Sequence, residues 1–225
     1  MGDSMKNKIY LIVAVLFVLV FCLVAVNKFA DFDLFIDSFS FEEYIVNNGY
    51  KDISLYQNEI IDAKNLSDRN SKIEYIVIHY AGTTSDAEDM VNSLNRGTTI
   101  NSSADFFVSL SGKIYQYNVN LKNKYSWAVG GNKLENTDGG KYYGLVSNEN
   151  SISIEMSTFL KDEDWSLNSE TVEATIDLVK YLIKEYDIPS KNVIRHYDVT
   201  GKLCPNVDGW LDDSVKWNDF KNSFN

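Results

Sequence analysis

The stretch Arg-His-Tyr-Asp-Val-Thr-Gly-Lys-Leu-Cys-Pro, residues 195–205, contains one of the two histidines and one of the two cysteines of the chain. The other cysteine, Cys22, lies in a long apolar run, so Cys204 is the only sulfur ligand outside that run. A neutral imidazole and a thiolate at this spacing can bind one Zn²⁺ from a loop. A third protein ligand would leave the fourth position open for water, the pattern of catalytic zinc. The sequence therefore predicts a zinc site formed by His79, His196 and Cys204.

The competing interpretation is that these residues are ordinary core residues. A free cysteine is among the most buried residue types, and taken singly a histidine or cysteine is more often packed than a ligand. However, His79 ends the apolar run 73–78, where a buried strand would deliver a side chain to a site. Lys202 and Pro205 also stand on either side of the cysteine. Together these features favour the metal site.

Length and charge limit the function classes. The 225 residues suit one medium-sized domain plus an appendage. The net charge is -11, and residues 1–30 carry three lysines and one aspartate, so residues 31–225 carry -13. This acidity argues against binding to nucleic acid, whose phosphates need lysine and arginine. With one cysteine outside the apolar run, no intrachain disulfide can form within this part.

An apolar run of 18 residues, Ile9–Val26, predicts a membrane-spanning helix. Lys6 and Lys8 precede it and favour a cytoplasmic N-terminus with the rest of the chain outside the cell membrane. A cleaved signal peptide is the alternative, but its cleavage site would be poor here. We therefore expect a single-pass protein in three parts. They are a cytoplasmic tip and transmembrane anchor (1–28), a membrane-proximal stalk (29–50) and a catalytic domain (51–225).

Strand and helix patterns alternate along the predicted domain. We expect strands over 73–79, 106–109, 113–117, 125–129, 151–157 and 192–195, helices over 86–95, 172–186 and 214–220, and a surface loop over 133–144. In the strand 151–157, Ile152, Ile154 and Met156 form an apolar face and Glu155 lies on the polar one. The predicted fold class is α/β: a single domain with a central mixed β-sheet flanked by helices, preceded by one transmembrane helix.

Five separated pieces of the sequence fit one known family in order and spacing. They are Ile76–His79, Ser103–Gly112 with its Ser-Gly turn, Trp127–Gly130, Asn148–Glu155 and Arg195–Pro205. Over residues 55–215 the chain resembles the zinc-dependent N-acetylmuramoyl-L-alanine amidases of the type 2 amidase family, shared by amidase-type phage lysozymes and peptidoglycan recognition proteins. Many relatives carry a tyrosine or histidine where this chain has Ala104 and Asp105, and some carry a histidine at the position of Ala128.

The resemblance implies hydrolysis of the amide between the lactyl group of N-acetylmuramic acid and the first L-alanine of the stem peptide. By the same resemblance, His79, His196 and Cys204 are the zinc ligands, Glu155 is the catalytic carboxylate and Lys202 stabilises the transition state. The expected partner is peptidoglycan. A non-cleaving peptidoglycan-binding module on the same fold is the alternative, although such relatives typically lose the cysteine. An unrelated zinc peptidase is disfavoured because no H-E-x-x-H motif is present.

The chemistry of amide hydrolysis needs the same residue types. Zinc lowers the pKa of bound water to about 7 and polarises a carbonyl. A carboxylate such as Glu155 can transfer the proton to the leaving amine, and Lys202 can stabilise the oxyanion. Asp198 is a candidate acceptor for the second N–H of a ligand histidine. Trp127 is a weaker candidate for the substrate groove, because aromatic residues are common in cores as well.

Overall fold

The computed structural model describes residues 55–57, 65–97, 101–212 and 214–224. The predicted anchor and stalk lie outside the described residues. Within the described part, no helix combines the length and apolar character that crossing a bilayer requires. The described chain forms a mixed sheet flanked by helices, which agrees with the predicted α/β class.

Short strands alternate with helices along the described chain. The strands are β1 (Leu55–Gln57), β2 (Leu66–Asp68), β3 (Tyr75–Tyr80), β4 (Phe106–Val108), β5 (Ile114–Gln116), β6 (Lys124–Ser126), β7 (Ser151–Met156), β8 (Phe159–Lys161), β9 (Asp164–Ser166) and β10 (Val193–Arg195). The helices are α1 (Ala87–Asn95), α2 (Ser169–Tyr186), α3 (His196–Thr200) and α4 (Ser214–Asn222), with a 3₁₀ turn over Ser190–Asn192. The expected helices over 86–95, 172–186 and 214–220 are therefore confirmed within a few residues.

Six strands form one sheet in the order β1-β5-β4-β7-β3-β10. The strands β4, β7, β3 and β10 are parallel to one another, whereas β5 is antiparallel to β4 and parallel to β1. The predicted hairpin around Ser111-Gly112 is thus confirmed as the β4–β5 pair. Two small antiparallel pairs, β2–β6 and β8–β9, lie outside this sheet.

The two central strands, β3 and β7, pair over six residues and are buried on both faces. The apolar face predicted for β7 is present, and Ile152, Ile154 and Met156 are fully buried. The opposite face of β7 is polar, as predicted, but it is not exposed to solvent, because Ser151 and Ser153 are also buried. Strands covered on both faces are typical of parallel sheets.

Different elements cover the two faces. On the face that carries His79 and Glu155, α1 packs against Phe107 of β4 and Tyr115 of β5. Further along the same face, the loop 129–146 and α3 pack against Val77. The long helix α2 packs against β4 and β7. Because α1, the loop and α3 occupy the first face, α2 covers the opposite face of the sheet.

The capping of α1 ties this helix to the β4–β5 hairpin. The carboxylate of Asp86 accepts a hydrogen bond from the backbone N–H of Ala87 at 2.8 Å and from that of Leu110 at 3.0 Å. Aspartate is a preferred N-cap residue because it satisfies a helix N–H that has no partner within the helix. One side chain therefore fixes both the start of α1 and its position on the sheet.

The segment 196–200, expected to be part of a loop, is the short helix α3. Gly201, with φ of 79°, ends it in a left-handed conformation. The predicted loop 133–144 folds back along α3. Its backbone N–H groups at Leu134, Gly140 and Tyr142 donate to the carbonyls of residues 200, 199 and 198 at 2.8, 3.0 and 2.8 Å. The position of α3 thus depends on this loop.

Candidate metal and catalytic site

The three predicted metal ligands meet at the ends of β3 and β10. Candidate ligand atoms of His79, His196 and Cys204 all lie within 4.8 Å of one another, and all three residues are buried. The imidazole centroids are 4.6 Å apart, and Nδ1 of His79 lies 3.8 Å from Sγ of Cys204. The structure therefore brings together residues separated by up to 125 positions along the chain.

The sheet explains this convergence. His79 is the penultimate residue of β3, and β10 runs parallel to β3 with Arg195 opposite Ile78. His196 follows directly as the first residue of α3, so it lies next to His79. After the helix the chain turns back, and the N–H of Tyr197 donates to the carbonyl of Cys204 at 2.8 Å. The sulfur is thereby carried to the two imidazoles.

The donor atoms fit a zinc ion. Within the described residues, Nδ1 of His196 is buried without a hydrogen-bond partner, and Nδ1 of His79 faces the sulfur of Cys204. The 3.8 Å between Nδ1 of His79 and Sγ of Cys204 is close to the roughly 3.6 Å expected for an N and an S ligand of one tetrahedral zinc. Two nitrogens and one sulfur also leave one position of a tetrahedral site open.

The protonation states of the ligands agree with this assignment. Burial lowers the pKa of His79 well below its usual value, helped by His196 and Lys202. Burial and Lys202 lower the pKa of His196 to about 4. Both imidazoles are therefore neutral near pH 7 and can offer a lone pair. Burial, followed by Glu155, raises the pKa of Cys204 to about 12. A bound cation would reverse this last effect, since a coordinating thiol is deprotonated.

Asp198 does not have its expected role as an acceptor for a ligand histidine. Both its carboxylate oxygens bind Arg195, with 2.7 Å between Oδ1 and Nη2. The Nε2–H of His196 donates instead to the backbone carbonyl of Val129 at 2.9 Å. This bond leaves Nδ1 of His196 for a metal, the usual division between the two nitrogens of a ligand histidine. Asp198 therefore stabilises the start of α3 rather than orienting an imidazole.

Glu155 lies beside the metal ligands because of the strand register. It is directly opposite His79 on β3 and Phe107 on β4, so all three side chains share one face of the sheet. Burial raises the pKa of Glu155 to about 7, and Lys202 partly opposes this shift. A carboxylate with a pKa near neutrality can both accept and donate a proton at physiological pH. Glu155 is therefore suited to proton transfer.

A cavity of about 390 Å³ opens in front of these residues. Its wall includes His79, Cys204, Glu155 and Lys202, and it continues along α1 and residues 102–103. The volume falls in the range of about 300–1,000 Å³ that is typical of ligand pockets. The site is thus a cleft with a potential metal centre, an acid and a cation at one end.

Trp127 is not among the residues that line this cavity; its neighbour Ala128 is. The indole N–H of Trp127 donates to Oγ of Ser67 at 2.8 Å, which ties the tryptophan to β2. The weaker expectation of a groove role for Trp127 thus receives no support from the cavity wall.

The two other departures from the family pattern, Ala104 and Asp105, are buried and lie outside the cavity wall. Asp105 accepts hydrogen bonds from Nδ2 of Asn118 and from the backbone N–H of Ser153, both at 2.8 Å. Burial raises the pKa of Asp105, while these bonds and Arg69 lower it. The carboxylate therefore supports β7, the strand that carries Glu155.

Val129 and α1 contribute to the site in ways that their residue types do not indicate. The acceptor at Val129 is a backbone carbonyl, so no residue type could have indicated it. Asp89 and Met90 line the cavity from α1. The sequence predicts a helix at these residues, but it does not predict which face of that helix lines a cleft, because this depends on how the helix packs on the sheet.

Comparison with known proteins identifies relatives of the chain. A family model described as N-acetylmuramoyl-L-alanine amidase matches residues 69–207. "N-acetylmuramoyl-L-alanine amidase BlyA" of Bacillus subtilis (strain 168) is 28% identical over 179 residues, covering 76% of this chain and 47% of that protein. "N-acetylmuramoyl-L-alanine amidase CwlL" of Bacillus licheniformis is 39% identical over 75 residues, covering 33% of this chain and 19% of that protein. The chain thus spans about half or less of the length of these curated relatives.

Solved structures agree with the sequence comparison. A mutant endolysin from Bacillus subtilis superposes with a TM-score of 0.57 at 27% identity, covering 77% of this chain and all of that one. The catalytic domain of XlyA gives a TM-score of 0.57 at 26% identity with the same coverage. The residues that carry the candidate site lie inside the matched segment 69–207.

Proposed function

The chain belongs to the N-acetylmuramoyl-L-alanine amidase family, and from that premise we propose that it hydrolyses the amide between the lactyl group of N-acetylmuramic acid and the L-alanine of the peptidoglycan stem peptide. One observation carries the proposal: two imidazoles and a thiol have ligand atoms within 4.8 Å of one another, and two of these residues, His79 and Cys204, line a cavity together with Glu155 and Lys202. Metal ligands alone would suit a structural site. The adjoining cleft, acid and cation suit a catalytic one.

His79, His196 and Cys204 would hold the zinc ion. When bound there, zinc supplies Lewis acidity: it lowers the pKa of a water molecule and polarises a carbonyl group. Glu155, with its pKa near 7, accepts a proton from water and returns it to the departing amine. Lys202 lines the same cavity, and its positive charge acts on Glu155 and on both histidines. It would stabilise negative charge on the carbonyl oxygen, a contribution of about 3 kcal/mol for a well-placed donor.

The decisive experiment is digestion of purified peptidoglycan by the full-length chain. We expect new N-terminal alanine amines to appear without new reducing sugar ends. Glu155→Gln removes the charge of the acid but keeps its shape, so turnover should fall about 100-fold or more while zinc content stays unchanged. Glu163→Gln, on the exposed β8–β9 turn, is the charge-matched control and should retain full activity.

Two outcomes would contradict this assignment. Undiminished turnover in Glu155→Gln would remove Glu155 from the mechanism. Peptidoglycan that binds tightly to the wild-type chain but releases no stem peptide would instead identify the protein as a non-cleaving binding module.

We further propose that Ile9–Val26 anchors the chain in the cell membrane, with the catalytic domain on the outer side where peptidoglycan lies. The support is the apolar run of 18 residues preceded by Lys6 and Lys8. We expect the full-length chain to stay in the membrane fraction after alkaline extraction and to be digested by protease added outside. Recovery of secreted protein with an N-terminus near residue 31 would refute the anchor and favour a cleaved signal peptide.

A further inference from the structure

One face of α1 forms the part of the cavity wall that lies away from the metal ligands. Asp89, Met90, Ser93 and Leu94 all line the cavity. Residues three and four positions apart in a helix lie on the same side, so these four residues form a single strip. The strip combines one carboxylate with the apolar side chains of Met90 and Leu94.

The apolar part of this strip is continuous with the hydrophobic core. Leu94 and Phe107 are buried in the core cluster under α1, and the half-buried Met90 packs against that cluster. All three also line the cavity. Asp89 is exposed at the edge, and within the described part of the chain its carboxylate forms no ion pair or hydrogen bond. The wall therefore offers an apolar surface that ends in an available negative charge.

The charged groups of the cavity are separated. Lys202 is near enough to the metal ligands to lower the pKa of His79, His196 and Glu155. Asp89 lies on α1, which packs over β4 and β5, whereas the two ligand histidines lie at the ends of β3 and β10, on the other side of β7. The charge of Asp89 thus acts on a part of a bound molecule away from the reacting amide.

We propose that the α1 side of the cavity is a subsite for a stem-peptide side chain with an aliphatic stem and a terminal primary ammonium group, and that Asp89 pairs with that ammonium. Long cationic side chains bind along apolar surface while their charged end remains near water, and Met90, Leu94 and Asp89 match those two parts. The inference rests on the proposed function, which brings a stem peptide into the cavity. Lysine and diaminopimelate both carry the required group.

The test measures binding of the released product, so it does not depend on turnover. The full-length chain is titrated calorimetrically at low salt with L-alanyl-γ-D-glutamyl-L-lysine and with the same peptide acetylated on Nε. An exposed ion pair contributes about 0.2–1 kcal/mol, so we expect the free ammonium to bind about 1.4- to 5-fold more tightly. Asp89→Asn should reduce this ratio to about one, and added salt should weaken it.

Glu88→Gln is the matched control. Glu88 is the neighbouring acid of the same helical turn, but it accepts a hydrogen bond from the hydroxyl of Tyr115 at 3.2 Å and does not line the cavity. Because the chain is strongly acidic, any cationic peptide is attracted weakly to its whole surface. Removing the charge of Glu88 reproduces that general loss while leaving the subsite intact, so the ratio should persist.

An equal loss in both variants, or an unchanged ratio in Asp89→Asn for every peptide tested, would overturn the subsite. A third peptide containing meso-diaminopimelate identifies the source of the ammonium. If binding of either peptide is weakened by Asp89→Asn, the result supports the subsite and identifies the side chain that it accepts. If binding of neither peptide is weakened, the subsite is overturned. If the chain binds these products but cleaves no peptidoglycan, the proposed hydrolysis fails while the subsite stands.

Discussion

Replacing Gly140 by alanine tests how strongly the loop 133–144 holds α3 and, through it, His196. A Cβ at Gly140 would lie 2.2 Å from the carbonyl carbon and oxygen of Asp198 and 2.4 Å from the carbonyl oxygen of Tyr197. These are backbone atoms of α3, so no side-chain rotation can relieve the overlap. Either the loop or the helix must move by about 1 Å to reach ordinary contact.

The cost follows from the three hydrogen bonds that hold the loop on the helix. They run from the N–H groups of Leu134, Gly140 and Tyr142 to carbonyls of α3 at 2.8–3.0 Å. A net contribution of about 1 kcal/mol each gives about 3 kcal/mol if all are lost. The lower entropy of an unfolded chain with alanine offsets about 0.4–1 kcal/mol. We therefore expect the free energy of unfolding to fall by about 2–3 kcal/mol.

The assay is urea denaturation of Gly140→Ala beside Gly131→Ala. Gly131 lies in the same loop region, and its added Cβ would meet no atom within 4 Å, so that variant should match the wild type or exceed it slightly. Zinc affinity should fall in Gly140→Ala and not in the control, because α3 begins with His196. Equal unfolding free energies and equal zinc affinities in the two variants would refute the view that this loop positions the ligand helix.

Two other changes test single groups. Cys204→Ser should lower zinc affinity by more than about 100-fold, which is the largest loss typical of a group that only supports a ligand. The control Cys22→Ser should leave zinc stoichiometry unchanged. Equal zinc stoichiometry in the two variants would remove Cys204 from the ligand set. Burial, opposed by Lys180 and reinforced by Glu173, raises the pKa of Asp177 to about 6. A raised pKa means that the folded state favours the protonated acid, so the penalty is absent below about pH 4 and complete above about pH 6. Asp177→Asn should therefore raise the free energy of unfolding at pH 7.5 by about 1 kcal/mol, after allowance for solvent screening of a half-buried group, and change nothing at pH 4; an equal gain at both values would contradict the assignment.

The elements predicted from the sequence are those with a clear periodicity. The apolar run before His79, the spacing of α2 and the Ser111-Gly112 turn each reflect local chemistry, and the structure confirms all three. The convergence of His79, His196 and Cys204 was predicted from their scarcity and from their ability to share one ion, and the described coordinates bring them together.

What the sequence could not provide depends on contacts between distant segments. Asp198 was a reasonable acceptor by residue type, but the short helix α3 places it against Arg195. The acceptor for His196 is a main-chain carbonyl at Val129, where the side chain carries no signal. Likewise, the serines at positions 151 and 153 are typical of a strand face exposed to solvent, but other elements pack over β7 and bury both of them.

The spread of the ligands along the chain has a consequence for the order of events during synthesis. His79 is translated 125 residues before Cys204, and the two histidines approach each other only after β10 has docked beside β3. The growing polypeptide therefore offers no complete set of ligands until residue 204 has been made, and the pairing of parallel strands over such separations is itself slow. Binding of a metal ion by all three side chains would therefore require that β3, β10 and the segment that carries Cys204 are already in place. A polypeptide that ends before residue 204 would lack the sulfur ligand and could not bind the ion in this way.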